Sequence, residues 1–363
     1  MVTVIGAGIA GSALAGALGR HGADVTLYEQ SARTDAGAFL FIDGRGHEAL
    51  IGLGVDTDAL MAGSYPLTGG LSYANSAGRH GASPSRGHRF WLRHKLMRVL
   101  HGFVESSGAR THYGREMTAS ALTGNIGDDL LIGADGIDSV VRSRVEPTRV
   151  PVYTGDNVVY GMTTEPVELP TAPATLHFFA ETDSAGMVFS TLGHLWRPGD
   201  PAALWFVRIV APPLPDNGEA SGTRPVPEWA DRIRAACPSN RALADTFLAA
   251  TDSVHVSNAR SVPLEDAASP GERILLIGDA DHAITPAAGV GARDALEDAH
   301  AVHRALTSGA SPADAMTARR HRILADRAAA LRARSSASRA PASPEAGADR
   351  STDLRRDAAR SPE

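Results

Sequence analysis

The first 29 residues constrain the fold more tightly than any other stretch of the chain. Val2 to Ile5 is an apolar strand-forming run, Gly6-Ala7-Gly8-Ile9-Ala10-Gly11 follows, and Leu14 and Leu18 then share one helical face. A second apolar run, Val25-Thr26-Leu27-Tyr28, ends in Glu29. Strand, glycine turn, helix, strand and acid in this order form a βαβ unit suited to a dinucleotide. The glycines allow a tight turn and close approach of backbone to a pyrophosphate, and the helix start offers the positive end of its dipole. Gly6, Gly8, Ile9, Ala10 and Gly11 are therefore candidate cofactor contacts, and Glu29 is placed to accept from a ribose 2′-hydroxyl. This fingerprint alone does not separate a nicotinamide from a flavin dinucleotide.

A second landmark is Arg273 to Ala299, RILLIGDADHAITPAAGVGARDALEDA. The apolar run Ile274 to Ile277 reads as a buried strand. It ends in Gly278-Asp279, a carboxylate at a strand's C-terminal edge, where open α/β sheets bind ligands. Pro286, Gly289 and Gly291 lay down a loop with little side chain. From Ala292 the spacing of Ala295, Leu296, Ala299, Val302 and Leu306 predicts a helix aimed at whatever the loop cradles.

The order Gly278-Asp279, His282, Pro286, Gly289-x-Gly291 and Asp298-Ala299 resembles the second flavin-contacting motif of the single-component (group A) FAD-dependent aromatic hydroxylases. The resemblance implies that Asp279 bonds the ribityl chain of FAD and that the N–H groups around Gly291 and Ala292 face the pyrimidine edge of the ring. Two further matches follow. Arg93, followed three residues later by Leu96, is similar to the family's FAD-contacting Arg. Asp129 to Arg142, with Asp135-Gly136 at the end of an apolar strand, resembles the motif shared by FAD and the nicotinamide nucleotide. Gly46-x-Glu48-Ala49 looks closer to the tetracycline-modifying branch, and the Pro-Asn pair many members carry near Gly44-Arg45 is missing. Thr118 to Asp128 is too short for the hairpins usual there, which predicts a trimmed accessory layer. Asp281 replaces the usual Ala and Arg293 the usual Asn. Asp281 is expected to put a carboxylate near the flavin or in solvent, and Arg293 to add positive charge at the pyrimidine edge. Between His282 and its neighbour Asp281 no catalytic dyad is expected, because sequence neighbours in a loop seldom form one.

The expected fold is α/β, α+β overall: a Rossmann-like FAD-binding domain with an inserted antiparallel-sheet substrate domain. At about 150 residues per domain, 363 residues suggest two. The boundaries read as 1–65, 88–150 and 265–332 for the first and 66–87 with 151–264 for the second. Between Arg149 and Leu264, β-branched and aromatic runs such as Val158 to Thr164, Thr175 to Phe179, Met187 to Leu192 and Leu204 to Val210 alternate with turn residues. Tyr160, His177, His194 and Trp205 on these strands are candidate substrate contacts or ordinary core positions. Ser64 to Gly87 reads as loop with a short strand from Gly70 to Tyr73, and Ala211 to Pro227 as loop. Helices are predicted over Trp229 to Ala236, Ala242 to Ala250 and Pro312 to Leu331, and a disordered tail over Ser335 to Glu363.

A net charge of −6 gives no general attraction to nucleic acid or anionic membrane. Cys237 stands alone, excluding an internal disulfide or a multi-thiolate metal site, and no metal-ligand spacing or nucleophile elbow is present. No apolar run approaches the ~20 residues of a membrane span, and the start inside a strand predicts a cytoplasmic protein without targeting peptide. The resemblance implies an NAD(P)H-consuming monooxygenase in which O₂ adds at flavin C4a. The hydroperoxide then delivers one atom to an aromatic or polycyclic small molecule, of the kind met in specialised, antibiotic-type metabolism. A non-oxygenating flavoprotein reductase or dehydrogenase, and a flavin-binding partner protein without turnover, are the alternatives. No single residue is assigned as catalytic, because the cofactor carries the chemistry.

Overall fold

The structure, a computed structural model, describes residues 1–32, 39–124, 129–215, 221–286 and 289–339. It opens with β1 (Val2–Ile5), α1 (Ile9–Arg20), β2 (Val25–Tyr28), β3 (Phe39–Ile42), α2 (Gly44–Gly52) and α3 (Thr57–Gly63). Four short strands follow, β4 (Ser64–Pro66), β5 (Gly70–Asn75), β6 (His80–Ser83) and β7 (Arg89–Leu92), and run into α4 (Arg93–Glu105). Then come β8 (Arg110–His112), α5 (Ala119–Gly124), β9 (Leu130–Gly133) and α6 (Val140–Val145). The middle holds β10 (Val152–Met162), β11 (Thr175–Thr182), β12 (Val188–Leu195), β13 (Leu204–Val210), β14 (Gly222–Pro225), α7 (Val226–Ala236), α8 (Arg241–Ala249) and β15 (Ser253–Ser261). The chain closes through β16 (Ile274–Leu276), α9 (Asp279–His282), α10 (Gly291–Ser308) and α11 (Pro312–Arg339).

Five strands form a parallel sheet in the order β16-β9-β1-β2-β8. The chain leaves the central β1 toward β2 and β8 on one side and toward β9 and β16 on the other. The C-terminal ends of β1 and β9 therefore flank the topological switch point, where no connecting segment fills the crevice. On one face α1, α4 and α10 bury Leu14, Leu18, Leu100, Leu296 and Val302. Each such side chain stabilises the fold by about 1.5–3 kcal/mol relative to its exposed state. The opposite face is covered by Leu122, Val141 and Ala280.

The second sheet has eight strands, β14-β15-β10-β13-β12-β11-β5-β6, antiparallel except where β11 meets β5. Its register fixes which residues share a face. His177, His194 and Trp205 are direct partners in one row across β11, β12 and β13. Phe178, Gly193, Phe206, Tyr160 and His255 are partners in the adjacent row, from β11 through β15. Side chains alternate along a strand, so these two rows point to opposite faces. The face of His194 and Trp205 packs on α7 and α8 through Phe247, Trp229 and Ile233. A third sheet, β3-β7-β4, packs Ile42 and Trp91 into the core beside α1, α4 and α10, and Phe90 against Leu176, Leu195 and Leu204 of the large sheet.

Several elements differ from the sequence reading. Ser64 to Gly87 carries strands β4, β5 and β6 rather than one, because pairing with β7 and β11 supplies the order that its Gly- and Ser-rich composition withholds. The expected loop Ala211 to Pro227 holds β14, paired with β15, and the start of α7. Strand β15 and the short helix α9 were not anticipated. Helix α11 runs past Leu331 to Arg339, so its last five residues replace the start of the expected tail. Residues 340–363 of that tail, 125–128 of the shortened segment, 33–38 before β3, and 287–288 of the glycine loop lie outside the described residues.

Candidate functional site

A cavity of about 700 Å³ opens at the switch point. Gly8, Ile9 and Ala10 after β1, Gly136 after β9, and Asp279 after β16 line one side. Arg93 at the start of α4 and Pro286, Gly289, Gly291 and Ala292 around the start of α10 complete it. Four separate stretches of sequence thus converge on one space. Facing them is an aromatic wall of Phe39 and Phe41 from β3 with Tyr160, Phe178 and Phe206 from the large sheet.

The glycines divide into two roles. Gly6 (φ 100°) holds a backbone turn in which a Cβ would lie 2.4 Å from the Ala134 carbonyl oxygen, and a Cβ at Gly11 would lie 1.9 Å from that of Gly6. These two make the turn. At Gly8, Gly136 and Gly289 a Cβ would meet nothing within 4 Å, because those positions face the cavity. Any side chain there would occupy space that a bound cofactor's phosphates and rings need. The helix starts agree. Helices α1, α4 and α10, which begin at the cavity, have no side-chain cap, and neither have α7 and α8 away from it, while Asp43, Asp56 and Ser139 cap α2, α3 and α6. At α1 and α10 the first N–H groups and positive dipole ends are left for an anionic group. An uncapped, glycine-cleared cradle of this kind fits the pyrophosphate and ring edge of FAD.

Glu29 accepts from the N–H groups of Ala7 and Ser31, each at 2.8 Å, which ties the end of β2 to the glycine turn. Asp135 caps α6, accepting from Ser139 Oγ at 2.5 Å and Val141 N at 3.2 Å. Burial raises its pKa and these bonds oppose the rise. Asp135 thus braces the backbone that presents Gly136. The Asp279 carboxyl opens on the cavity but is hemmed in by protein on its other sides. That desolvation raises its pKa against the opposing charges of His282 and Arg93.

The turn carrying Asp279 is held from every side. Gly278 N donates to Asp298 at 3.0 Å, and Arg142 Nη1 donates to the Ala280 carbonyl at 2.9 Å. Arg327 from α11 donates to the His282 carbonyl at 2.7 Å. Asp281 is 0% exposed. It accepts from Arg149 Nη2 at 2.9 Å and from Arg320 Nε and Nη2 at 2.8 and 2.5 Å. The expectation of a carboxylate near the flavin or in solvent is therefore corrected: Asp281 points into the protein, where two guanidiniums neutralise it. His282 does have a carboxylate partner, Asp298, at 2.5 Å. Burial alone would lower the pKa of His282, but the charge of Asp298 beside it wins and raises it, while Asp298 is held down at about 2. Arg319 completes this pair, bonding Asp298 at 2.8 Å. Arg293 lines the cavity, yet it is paired with Asp294 at 2.7 Å and Asp43 at 3.3 Å, so its charge is largely compensated.

Of the four candidate substrate residues, Tyr160 lines the cavity and the other three do not. His177 and His194 stack on each other at 4.9 Å and bond the Ala172 carbonyl and Thr171 Oγ1, each at 2.9 Å. Trp205 Nε1 donates to Thr251 at 3.0 Å. All three sit in the row that faces α7 and α8, one residue out of phase with the wall. The residues that sequence reasoning passed over, Phe178 and Phe206, are their immediate chain neighbours, and only cross-strand register reveals them.

A parallel sheet with cleared glycine turns at its switch point shares one cavity with an aromatic face of an antiparallel sheet, the architecture of a dinucleotide-binding protein. Residues 1–315 match the family described as FAD binding domain, and the chain belongs to that family, that of the group A FAD-dependent aromatic hydroxylases. It is an FAD-dependent monooxygenase. Among curated relatives it is 27% identical to kynurenine 3-monooxygenase of Salinispora arenicola over 359 residues, covering 87% of this chain and 74% of that one. It is 29% identical to 2-heptyl-3-hydroxy-4(1H)-quinolone synthase of Pseudomonas aeruginosa over 331 residues, covering 84% and 80%. In fold it is similar to 2,6-dihydroxypyridine-3-hydroxylase of Arthrobacter nicotinovorans, with TM-score 0.67 and 20% identity over 88% of this chain and 87% of that one. Among the described residues no helix is long and apolar enough to cross a membrane.

Proposed function

We propose that this enzyme consumes NAD(P)H and inserts one atom of O₂ into an aromatic or polycyclic small molecule, of the kind found in specialised metabolism. The observation that carries this reading is the single cavity shared by the cofactor cradle and the aromatic wall. Relatives named for kynurenine and for a quinolone agree with a ring substrate. Bound FAD supplies the electron transfer and the oxygen activation. The protein's residues do the rest. The N–H groups at the starts of α1 and α10 hold the pyrophosphate and favour negative charge at the ring edge beside Gly291 and Ala292. Asp279 and Arg93 fix the cofactor laterally. Phe39, Phe41, Phe178 and Phe206 keep water from the reacting atoms and hold the substrate ring. The hydroxyl of Tyr160, which lines the cavity, donates to a polar substituent of that ring.

The test is NAD(P)H oxidation by FAD-loaded protein with a panel of phenols under ¹⁸O₂. The reading requires faster oxidation with at least one member and one labelled atom in its product. Oxidation that speeds up while no label enters any product refutes it in favour of a non-oxygenating dehydrogenase.

A further inference from the structure

The row that crosses the cavity face of the large sheet contains one position without a side chain. Phe178 pairs with Gly193, Gly193 with Phe206, and Phe206 with Tyr160. Gly193 is buried because the Phe206 ring lies down over it. A Cβ at residue 193 would fall 2.1 Å from Phe206 Cζ and 2.3 Å from Cε1. Ordinary contact lies near 3.7 Å, so one atom on residue 193 displaces the ring by about 1.5 Å. The backbones cannot give way, since β12 is pinned by ladders to β11 and β13 on both sides. The ring is the free end of a side chain, and the space open to it is the cavity it already lines.

We infer that Gly193 is a specificity-determining residue. By leaving the sheet bare beneath Phe206 it sets the ring back and leaves room in the cavity for a planar fused-ring substrate to lie against Phe206, Phe178 and Phe39. The Phe178 and Phe39 ring centroids stand 6.1 and 6.4 Å from that of Phe206, which is direct ring contact, so the three form one continuous wall of this space. Tyr160, the next residue in the row and 6.3 Å from Phe39, brings a hydroxyl to its edge. The inference rests on the proposed aromatic substrate and adds its size and the residue that sets it.

The experiment uses the full-length, FAD-loaded protein and reads the perturbation of flavin absorbance by phenol and by 2-naphthol. Wild type binds 2-naphthol the more tightly. Gly193→Ala weakens 2-naphthol by about tenfold or more, the scale on which a pocket senses one carbon, and leaves phenol within about threefold. Adding Phe206→Leu to Gly193→Ala restores 2-naphthol. Equal losses of both probes, an unchanged 2-naphthol affinity, or no recovery in the double variant overturns the inference. If Gly193→Ala fails to retain FAD, Phe206→Leu alone decides: it tightens binding of a three-ring anthracenol relative to 2-naphthol, and no such gain overturns the inference. The two readings fail differently. Wild type that holds FAD but responds to neither probe refutes the aromatic substrate and the inference with it, whereas probes that bind regardless of residue 193 refute the inference alone.

Discussion

Replacing Asp281 with Asn removes one charge from a site that is 0% exposed and leaves the guanidiniums of Arg149 and Arg320 facing a neutral amide. Breaking a buried ion pair by removing one partner costs about 3–5 kcal/mol, because the surviving charge remains desolvated. Two features place this site at the lower end. Arg149 keeps Glu146 as a partner, and Arg320 keeps the Ala268 carbonyl. The expected loss is thus about 3 kcal/mol, or roughly two orders of magnitude in the folding equilibrium. The effect reaches the cofactor because Asp281 lies two residues from Asp279 on the turn. It reaches the large sheet as well. Arg149 also bonds the Pro263 and Asp281 carbonyls, and Val262 N donates to the Ala283 carbonyl at 2.8 Å. The segment entering β10 from α6 and the segment leaving β15 toward β16 therefore meet at this turn. Urea unfolding of the apoprotein, followed by tryptophan fluorescence, measures the first effect, and FAD titration measures the second. Asp245→Asn, which breaks a solvent-exposed pair with Arg234, is the control and should change neither. An Asp281→Asn protein within about 1 kcal/mol of wild type, with unaltered FAD affinity, would refute the reasoning.

Three further outcomes are expected. Gly8 has ordinary extended backbone and open space where a Cβ would go, so Gly8→Val should leave apoprotein stability within about 0.5 kcal/mol while weakening FAD binding; equal losses of stability and affinity would contradict that split. Burial, reinforced by the charge of His177, holds His194 at about 3, and burial holds His47 at about 4. Both folded values lie below the unfolded value near 6.5, so the unfolded chain binds the extra protons. Stability should fall as pH drops below about 6.5, by up to about 1.4 kcal/mol per pH unit for each group, and level off near the folded values. His194→Phe should make that slope shallower by about one proton, read from urea midpoints at successive pH values. Leu14→Ala, at a position wholly enclosed between α1, α4 and α10, should cost about 2–5 kcal/mol without altering the flavin spectrum of the loaded protein.

Much of the cofactor cradle was legible because its parts are local. A glycine turn needs glycine at given offsets, a strand end needs an apolar run before a carboxylate, and both are visible within a dozen residues. Gly8, Gly136, Asp279 and Gly291 could therefore be named from the chain, and the structure brings them to one cavity. The aromatic wall was not legible to the same degree. His177 and Phe178 are neighbours in similar surroundings, and nothing local says which faces the cofactor. Asp281 reads the same way: a carboxylate two residues from Asp279 gives no sign that Arg320, 39 residues on, will bury it.

What the sequence determined by itself was the βαβ unit, the class of cofactor and the residues of its turns, since short-range sterics and hydrogen bonding require particular residues there. Tertiary structure alone decided the face of each strand and the partner of each buried charge. A strand's side chains alternate with a period of two, so a shift of one residue in register exchanges the cavity row for the core row. That register is set by strands as far apart as Tyr160 and Phe206.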